Sequence, residues 1–361
     1  LIDFLIILML PFVIAVAVVI FFMKTGKITP IELVVMLAAP ALVAGCMVAA
    51  FQYQETAATE LWNGQITQRE RVKVSCSHSY QCHCRMVPSG SGKNASYSEK
   101  CDTCYEHSYD VDWNLYSSTN EKIEIDRVDR QGLQMPDRWR IAYPGEPFSS
   151  EHSYQNYLLV NRGSVLFGGV GDTKRFAALI PQYPKVFDFY RVNPVIVTGG
   201  VPVDMKNWTW LIRELNKRVS GPKQVNVLIV LAKTSDRSYA KALSTAWDGG
   251  QKNDLIVVIG TEDGNKIAFA EIVSWTPAQD LKVVLRDRIE QIGDLGHRDE
   301  IVNAIESEVN GRWKRMHMKE YKYLLATAEI PFGEKLAAII FCSLLEIGIC
   351  FWAVKNDLVA E

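Results

Sequence analysis

The stretch CSHSYQCHC, Cys76 to Cys84, sets three cysteines and two histidines within nine residues, and CDTCYEH, Cys101 to His107, follows after a short loop. Thiolate sulfur and imidazole nitrogen are donors that zinc prefers, and a tetrahedral site is usually assembled from two close ligand pairs separated by a loop. Cys101-x-x-Cys104 is a standard pair. Cys82-x-Cys84 is a tighter one: alternate side chains of an extended chain share a face, so both sulfurs would point to one side. Pro88-Ser-Gly-Ser-Gly92 supplies a flexible loop between the pairs. Four sulfurs leave no coordination position open for water, so the expectation is a structural zinc on Cys82, Cys84, Cys101 and Cys104, with no catalytic role. Cys76, His78, His83 and His107 could complete a second site or replace one ligand. His78 and His107 each open a His-Ser-Tyr triplet, and the triplet recurs at His152, far from the cluster, which favours ordinary surface hydrogen bonding for these rings. The rival to zinc is oxidation, because two disulfides between the pairs would staple the same loop wherever disulfides persist.

Which of these holds depends on the side of a membrane. Phe4 to Met23, Ile28 to Phe51 and Leu336 to Val354 are apolar runs of the length that crosses a hydrocarbon core, about 20 residues for roughly 30 Å. Pro11 and Pro40 are compatible with that, since neighbouring helices re-satisfy the backbone groups a proline frees. The first run is too long for a signal peptide, lacks a small-residue cleavage pattern and is followed at once by a second run. Lys24 and Lys27 in the short link between the runs, with Lys355 after the last, place those segments in the cytoplasm. The region from about 52 to 331 is then extracytoplasmic, periplasmic in a bacterial host. Glu346, inside the last run, is expected to be hydrogen-bonded within the bundle or to make a contact between subunits. Cys46, Cys342 and Cys350 read as apolar-face thiols.

Between the spans, residues 52–180 read as a cysteine-rich, β-rich domain. Ala57 to Gly132 is polar and turn-rich. Strands are expected at Tyr109 to Leu115, Ile123 to Val128 and Tyr154 to Phe167, with Pro136 to Pro147 as loop. Gly168 to Gly171 lacks the Gly-Lys-Ser/Thr of a phosphate loop and reads as a link. Residues 181–330 alternate strand and helix: strands at Val195 to Val197, Val225 to Leu231, Leu255 to Ile259 and Lys266 to Val273, with helices around Trp208 to Val219, Tyr239 to Trp247, Leu281 to Ile292 and Arg298 to Tyr323. Such alternation implies a three-layer α/β/α domain. The domains expected are therefore 1–51, 52–180, 181–330 and 331–361.

Within the α/β segment, Val225-Asn-Val-Leu-Ile-Val230, then Ser238-Tyr239-Ala240 with Leu243, then Trp247-Asp-Gly-Gly250 and Lys252-Asn253-Asp254-Leu255 resemble the TPM domain, an extracytoplasmic α/β module, over about residues 186–295. Asp254 stands where that family has glycine. The resemblance implies either an acid phosphatase or an assembly factor for membrane complexes, and the fold alone does not choose. Asp254 and Asp263, with Asp236, are the carboxylates a phosphatase could use for a cation. Tyr80-Gln-Cys-His-Cys-Arg85 and Cys101-Asp-Thr-Cys-Tyr-Glu106 resemble a segment of uncharacterised membrane proteins of large tailed phages, which implies a protein placed in a host envelope. Asn94-Ala-Ser96 and Asn207-Trp-Thr209 fit the glycosylation pattern. A net charge of -2 over 361 residues gives no reason to expect a nucleic-acid partner. The sequence reading is thus a non-enzymatic, homo-oligomeric scaffold or interaction protein in the lipid bilayer, with a possible envelope protein partner. A tethered phosphatase-like hydrolase and an oligomeric channel are the alternatives.

Overall fold

The computed structural model describes residues 2–23, 30–89, 96–161 and 171–356. The Lys24 to Lys27 link, residues 90–92 of the Gly/Ser stretch, Asn94, residues 162–167 and Gly168 to Val170 lie outside them. The chain falls into two compact units. One is Leu1–Thr59, Ser153–Val170 and Met316–Glu361; the other is Glu60–His152 and Gly171–Arg315. The second unit joins most of the two regions that the sequence assigns to separate domains.

In the first unit, α1 (Ile2–Met23), α2 (Pro30–Thr56) and α8 (Phe332–Asn356) are long and apolar enough to cross a membrane. Their large side chains point outward: Leu5, Met9, Phe12, Leu42, Phe341, Leu344 and Phe351 are exposed, whereas Ile7, Ala44, Ala338 and Cys342 pack inside. That inverts the order of a water-soluble bundle and suits lipid. Lys335 Nζ meets Asp3 Oδ1 at 2.7 Å, so α1 and α8 begin at the same end and run in the same direction. Glu346 is fully buried on the inner face of α8, in line with Ala338, Cys342 and Cys350, and its Oε1 lies 3.3 Å from Cys350 Sγ.

The second unit holds two four-stranded sheets. The first has the order β5-β4-β1-β6, from β1 (Ala57–Val74), β4 (Asp110–Ser117), β5 (Lys122–Ile125) and β6 (Pro147–Gln155). β1 is where polar turns are expected from the sequence. It escapes an apolar-periodicity reading because Arg69, Arg71 and Lys73 occupy its aromatic-facing side, their charges 4.9, 5.3 and 4.4 Å from the ring centroids of Trp139, Trp113 and Tyr109. Between β1 and β4 the chain departs as a separate antiparallel pair, β2 (Ser79–Ser89) and β3 (Ser96–Tyr105). The segment Pro136 to Pro147 contains the short helix α3 (Asp137–Ile141), and the strand expected from Tyr154 lies earlier, with a 3-10 turn at Tyr157–Asn161.

The second sheet, in the order β10-β9-β8-β7, is built from β7 (Val195–Thr198), β8 (Asn226–Lys233), β9 (Asp254–Thr261) and β10 (Ile267–Val273); β7, β8 and β9 are parallel and β10 is antiparallel to β9. On one face Val227, Ile229 and Leu231 meet α4 (Met205–Lys223), α6 (Gln279–Ile292) and α7 (Arg298–Arg312). On the other, Leu228 and Val230 meet α5 (Ser238–Ala246) and Phe176. The strands β7, β8 and β9 step in one direction while α4 and α5 lie on opposite faces, so the two crossovers have opposite hands. One is therefore left-handed, against the strong general preference. α7 stops at Arg312 rather than Tyr323: Trp313 leaves helical geometry and anchors its indole N–H on Lys223 O at 3.1 Å.

Asn216 on α4 acts as an extra strand partner for β8. Its amide donates to Val227 O at 3.0 Å and accepts from Val227 N at 2.8 Å, both buried. Asn216→Ala leaves two buried backbone groups unpaired, at about 1–3 kcal/mol each. Denaturant unfolding of the purified protein, followed by tryptophan fluorescence, should show a loss of about 2–5 kcal/mol, whereas Lys206→Ala on the exposed side of α4 should stay within about 0.5 kcal/mol.

Candidate metal centre

The four cysteines expected to bind zinc do not converge. Cys82 is bonded to Cys104 and Cys84 to Cys101. The reason lies in the register: Cys82 stands opposite Asp102 but Arg85 opposite Lys100, so one extra residue is inserted in β2. His83 takes φ 49° at this bulge. Without the insertion Cys82 and Cys84 would share a face. With it they turn to opposite faces, and Cys101 and Cys104, three apart on a strand, also face opposite ways. The result is one bridge on each face of the hairpin. His83 Nδ1 comes within 3.9 Å of Cys104 Sγ, but that sulfur is spent in a disulfide. By the chain-entropy relation a single bridge of this span is worth about 3 kcal/mol; the second, closing only the short rungs left by the first, adds less.

Of the four residues that could complete a second site, Cys76, His78 and His107 meet, while His83 lies apart beside Cys104. Cys76 and His78 lie in the link from β1 to β2, and His107 in the link from β3 to β4, whose first residue is Asp110. Donor atoms of Cys76, His78, His107 and Asp110 all lie within 4.8 Å of one another. Cys76 Sγ is 3.7 Å from His107 Nδ1, His107 Nδ1 is 3.4 Å from Asp110 Oδ1, and His78 Nδ1 is 3.6 Å from Asp110 Oδ2. Cys76 and Asp110 are buried, while the two rings keep a partly exposed edge. Glu106 N donates to His78 O at 3.1 Å and ties the two links together at the root of the hairpin.

Asp110 is the residue that sequence reasoning missed. Its Oδ2 accepts from Ser77 N at 2.9 Å, Ser77 Oγ at 3.0 Å and Arg127 Nη1 at 2.8 Å. The Ser77 N–H, opposed by burial and aided by Arg127, holds the carboxyl well below the ordinary carboxylate range. Its Oδ1 is buried and accepts no hydrogen bond from the described residues. The signal available in the sequence was the spacing His107-x-x-Asp110, obscured because Asp110 begins a strand that reads as structural. The His152 of the third triplet belongs elsewhere: it stacks on Trp62 at 3.8 Å and pairs with Glu121 at 3.0 Å.

The phosphatase carboxylates are scattered. Asp236 follows β8 and Asp263 follows β9, but Asp254 is the first residue of β9, roughly 25 Å away along an eight-residue strand. Asp263 and Asp236 accept from backbone N–H groups of their own turns. Asp254 ends a buried polar chain in which Ser149 donates to Asn63, Asn63 to Asn226 and Asn226 to Asp254, while Tyr183 and Gln251 N also donate to the carboxylate. Of the Gly168 to Gly171 link, Gly171 packs so closely on α5 that a Cβ there would lie 2.5 Å from Ala242 N. Asn207 sits in the first turn of α4, its N–H capped by Asp204.

No protein family, curated protein or solved structure matches this chain.

Burial pushes the Asp254 carboxyl up to about 7 despite the donors around it. Its folded value thus exceeds the unfolded one of 3.8, and between those values the folded chain holds a proton that the unfolded chain has lost. Asp254 therefore lowers stability as pH rises from about 4 to about 7, with a slope approaching 1.4 kcal/mol per pH unit. The difference in unfolding free energy between the wild type and Asp254→Asn, measured across this window, should show that slope and flatten above about pH 7.

Proposed function

We propose that this is a membrane-anchored, non-enzymatic interaction protein whose second unit works on the extracytoplasmic side, and that it self-associates through the β2–β3 hairpin. The carrying observation is the hairpin itself. An isolated two-stranded sheet is marginal in water, yet this one is covalently stapled on both faces. By the register, Met86, Tyr97 and Tyr105 share the face of the Cys84–Cys101 bridge, and all three are more than half exposed. Both outer edges of the pair are free of strand partners among the described residues. Free edges beside an exposed aromatic face are the features by which strands add to a second copy of the same chain. Disulfides that persist argue for an oxidising compartment, in agreement with the lysines flanking the spans.

The TPM-like reading of the α/β part belongs to the same proposal. Its support is positional: Tyr239 and Ala240 lie in α5, and Trp247 to Gly250 form the turn before β9. Gly249 and Gly250 there both take φ 78°, which a Cβ would strain. Of the two activities that the family implies, the scattered carboxylates favour assembly over hydrolysis. A structural zinc accompanies this reading, with ligands other than the paired cysteines of the hairpin. The channel alternative is weaker, because Glu346 is already covered by the helices of its own chain.

Two measurements test this. Alkylation of the protein in native membranes, before and after reduction, should modify Cys82, Cys84, Cys101 and Cys104 only after reduction. A photo-crosslinker at Tyr97 should yield a defined multimer of this chain. Reactive cysteines at those four positions without reductant, or exclusively monomeric chains after irradiation, would sink the proposal.

A further inference from the structure

We infer that Cys76 Sγ, Asp110 Oδ1 and one ring nitrogen each of His78 and His107 bind a single Zn2+ in a closed four-coordinate site at the root of the hairpin. In a tetrahedral zinc site with bonds of about 2.0–2.3 Å the donors sit roughly 3.3–3.8 Å apart. The observed 3.7 Å from Cys76 to His107 and 3.4 Å from His107 to Asp110 already have that spacing. Among the described residues no hydrogen-bond donor reaches Oδ1 of Asp110 while three reach Oδ2, so the carboxylate is oriented from behind, as outer partners orient metal ligands. The donor set is sulfur, two nitrogens and one oxygen, which fits zinc and excludes the oxygen-seeking calcium and magnesium.

Charge balances as well. On binding, Cys76 gives its thiol proton to solvent, and the thiolate and the Asp110 carboxylate together neutralise the ion; Arg127 is matched by Asp112, which its guanidinium also contacts. The site solves a further problem. Cys76 is the fifth cysteine of a unit whose other four are paired, and an unpaired thiol in an oxidising compartment is a liability. A bound metal keeps it buried and occupied. Because its ligands come from both links that flank the hairpin, the ion fixes the angle at which the hairpin leaves the first sheet. The assignment gives the zinc of the preceding proposal its ligands, while self-association is tested separately by crosslinking, so either can fail alone.

The experiment is elemental analysis of the full-length protein purified in detergent without chelator, together with His107→Ala, Cys76→Ser and a Cys84→Ser/Cys101→Ser variant. One zinc per chain is expected in the wild type and in the hairpin double variant, and at least a tenfold loss in His107→Ala and Cys76→Ser. Should those two variants fail to fold, Co2+ exchanged into the wild type decides: the intense d–d absorption of a tetrahedral ion with a thiolate charge-transfer band is expected. A wild type without zinc, zinc retained in both ligand variants, or a cobalt spectrum lacking the thiolate band overturns the assignment. The metal-free outcome would leave His107 and Asp110 as a simple ion pair.

Discussion

A buried carboxylate must be compensated or pay for desolvation, and Asp110 organises the second unit around that requirement. It is the first residue of β4, so its position is set by the pairing of β4 with β1, in which Val74 faces Asp110 and Arg71 faces Trp113. From there it draws in Ser77 from the link after β1, Arg127 from the segment after β5, and His107 from the link after β3. Three separate stretches of chain are thereby held at one point. The hairpin leaves the sheet at that point and returns to it, so β2 and β3 take their direction from this cluster.

The hairpin depends next on a single inserted residue. With regular alternation, CxC presents two sulfurs on one side and reads as a metal-binding pair. The bulge at His83 reverses the alternation, and the same four cysteines become two cross-strand bridges. Nothing in the residue types marks that insertion: a histidine with positive φ is uncommon, and register is a property of both strands together. The apolar spans, the buried runs of β8 and β9 and the amphipathic face of α4 were legible because each carries its own periodicity. β1 was not, since its ordered positions are cations stacked on tryptophan and tyrosine rings. Cys76, His78 and His107 were legible as donors. Asp110 was not, because only the fold brings a strand-initial aspartate to them.

The boundary expected near residue 180 illustrates a different limit. Composition changes there from turn-rich to alternating apolar segments, and each half has its own sheet. Yet Asn63 on β1 bonds Asn226 at the start of β8, and Asn253 donates to Leu61 O at 2.7 Å. Glu60 receives both Lys252, at 3.1 Å, and Arg315. The two amide bonds are buried and Glu60 itself is buried, so neither half could be removed without leaving the other with unpaired polar groups. Amide and carboxylate side chains carry no pattern that announces such a seam. Asp254, at the start of β9, terminates this network and accepts from Asn226, Tyr183 and Gln251 N.

The left-handed crossover fits the same picture. Two connections of the same hand would place α4 and α5 on one face of β7, β8 and β9. Placing α5 on the opposite face instead covers Leu228, Val230 and Ile256 with Tyr239 and Leu243, and brings the Trp247 indole to Pro181 O at 2.9 Å. A bare sheet face would cost the burial of a whole apolar layer at roughly 25 cal/mol per Å2. Hydrophobic coverage outweighs handedness. The turn that makes it possible, Asp248-Gly249-Gly250, stands at positive φ throughout, and the ring of Trp275 lies where a Cβ on Gly249 would be. The Trp247-Asp-Gly-Gly250 turn is thus a steric condition for closing the second face of the sheet.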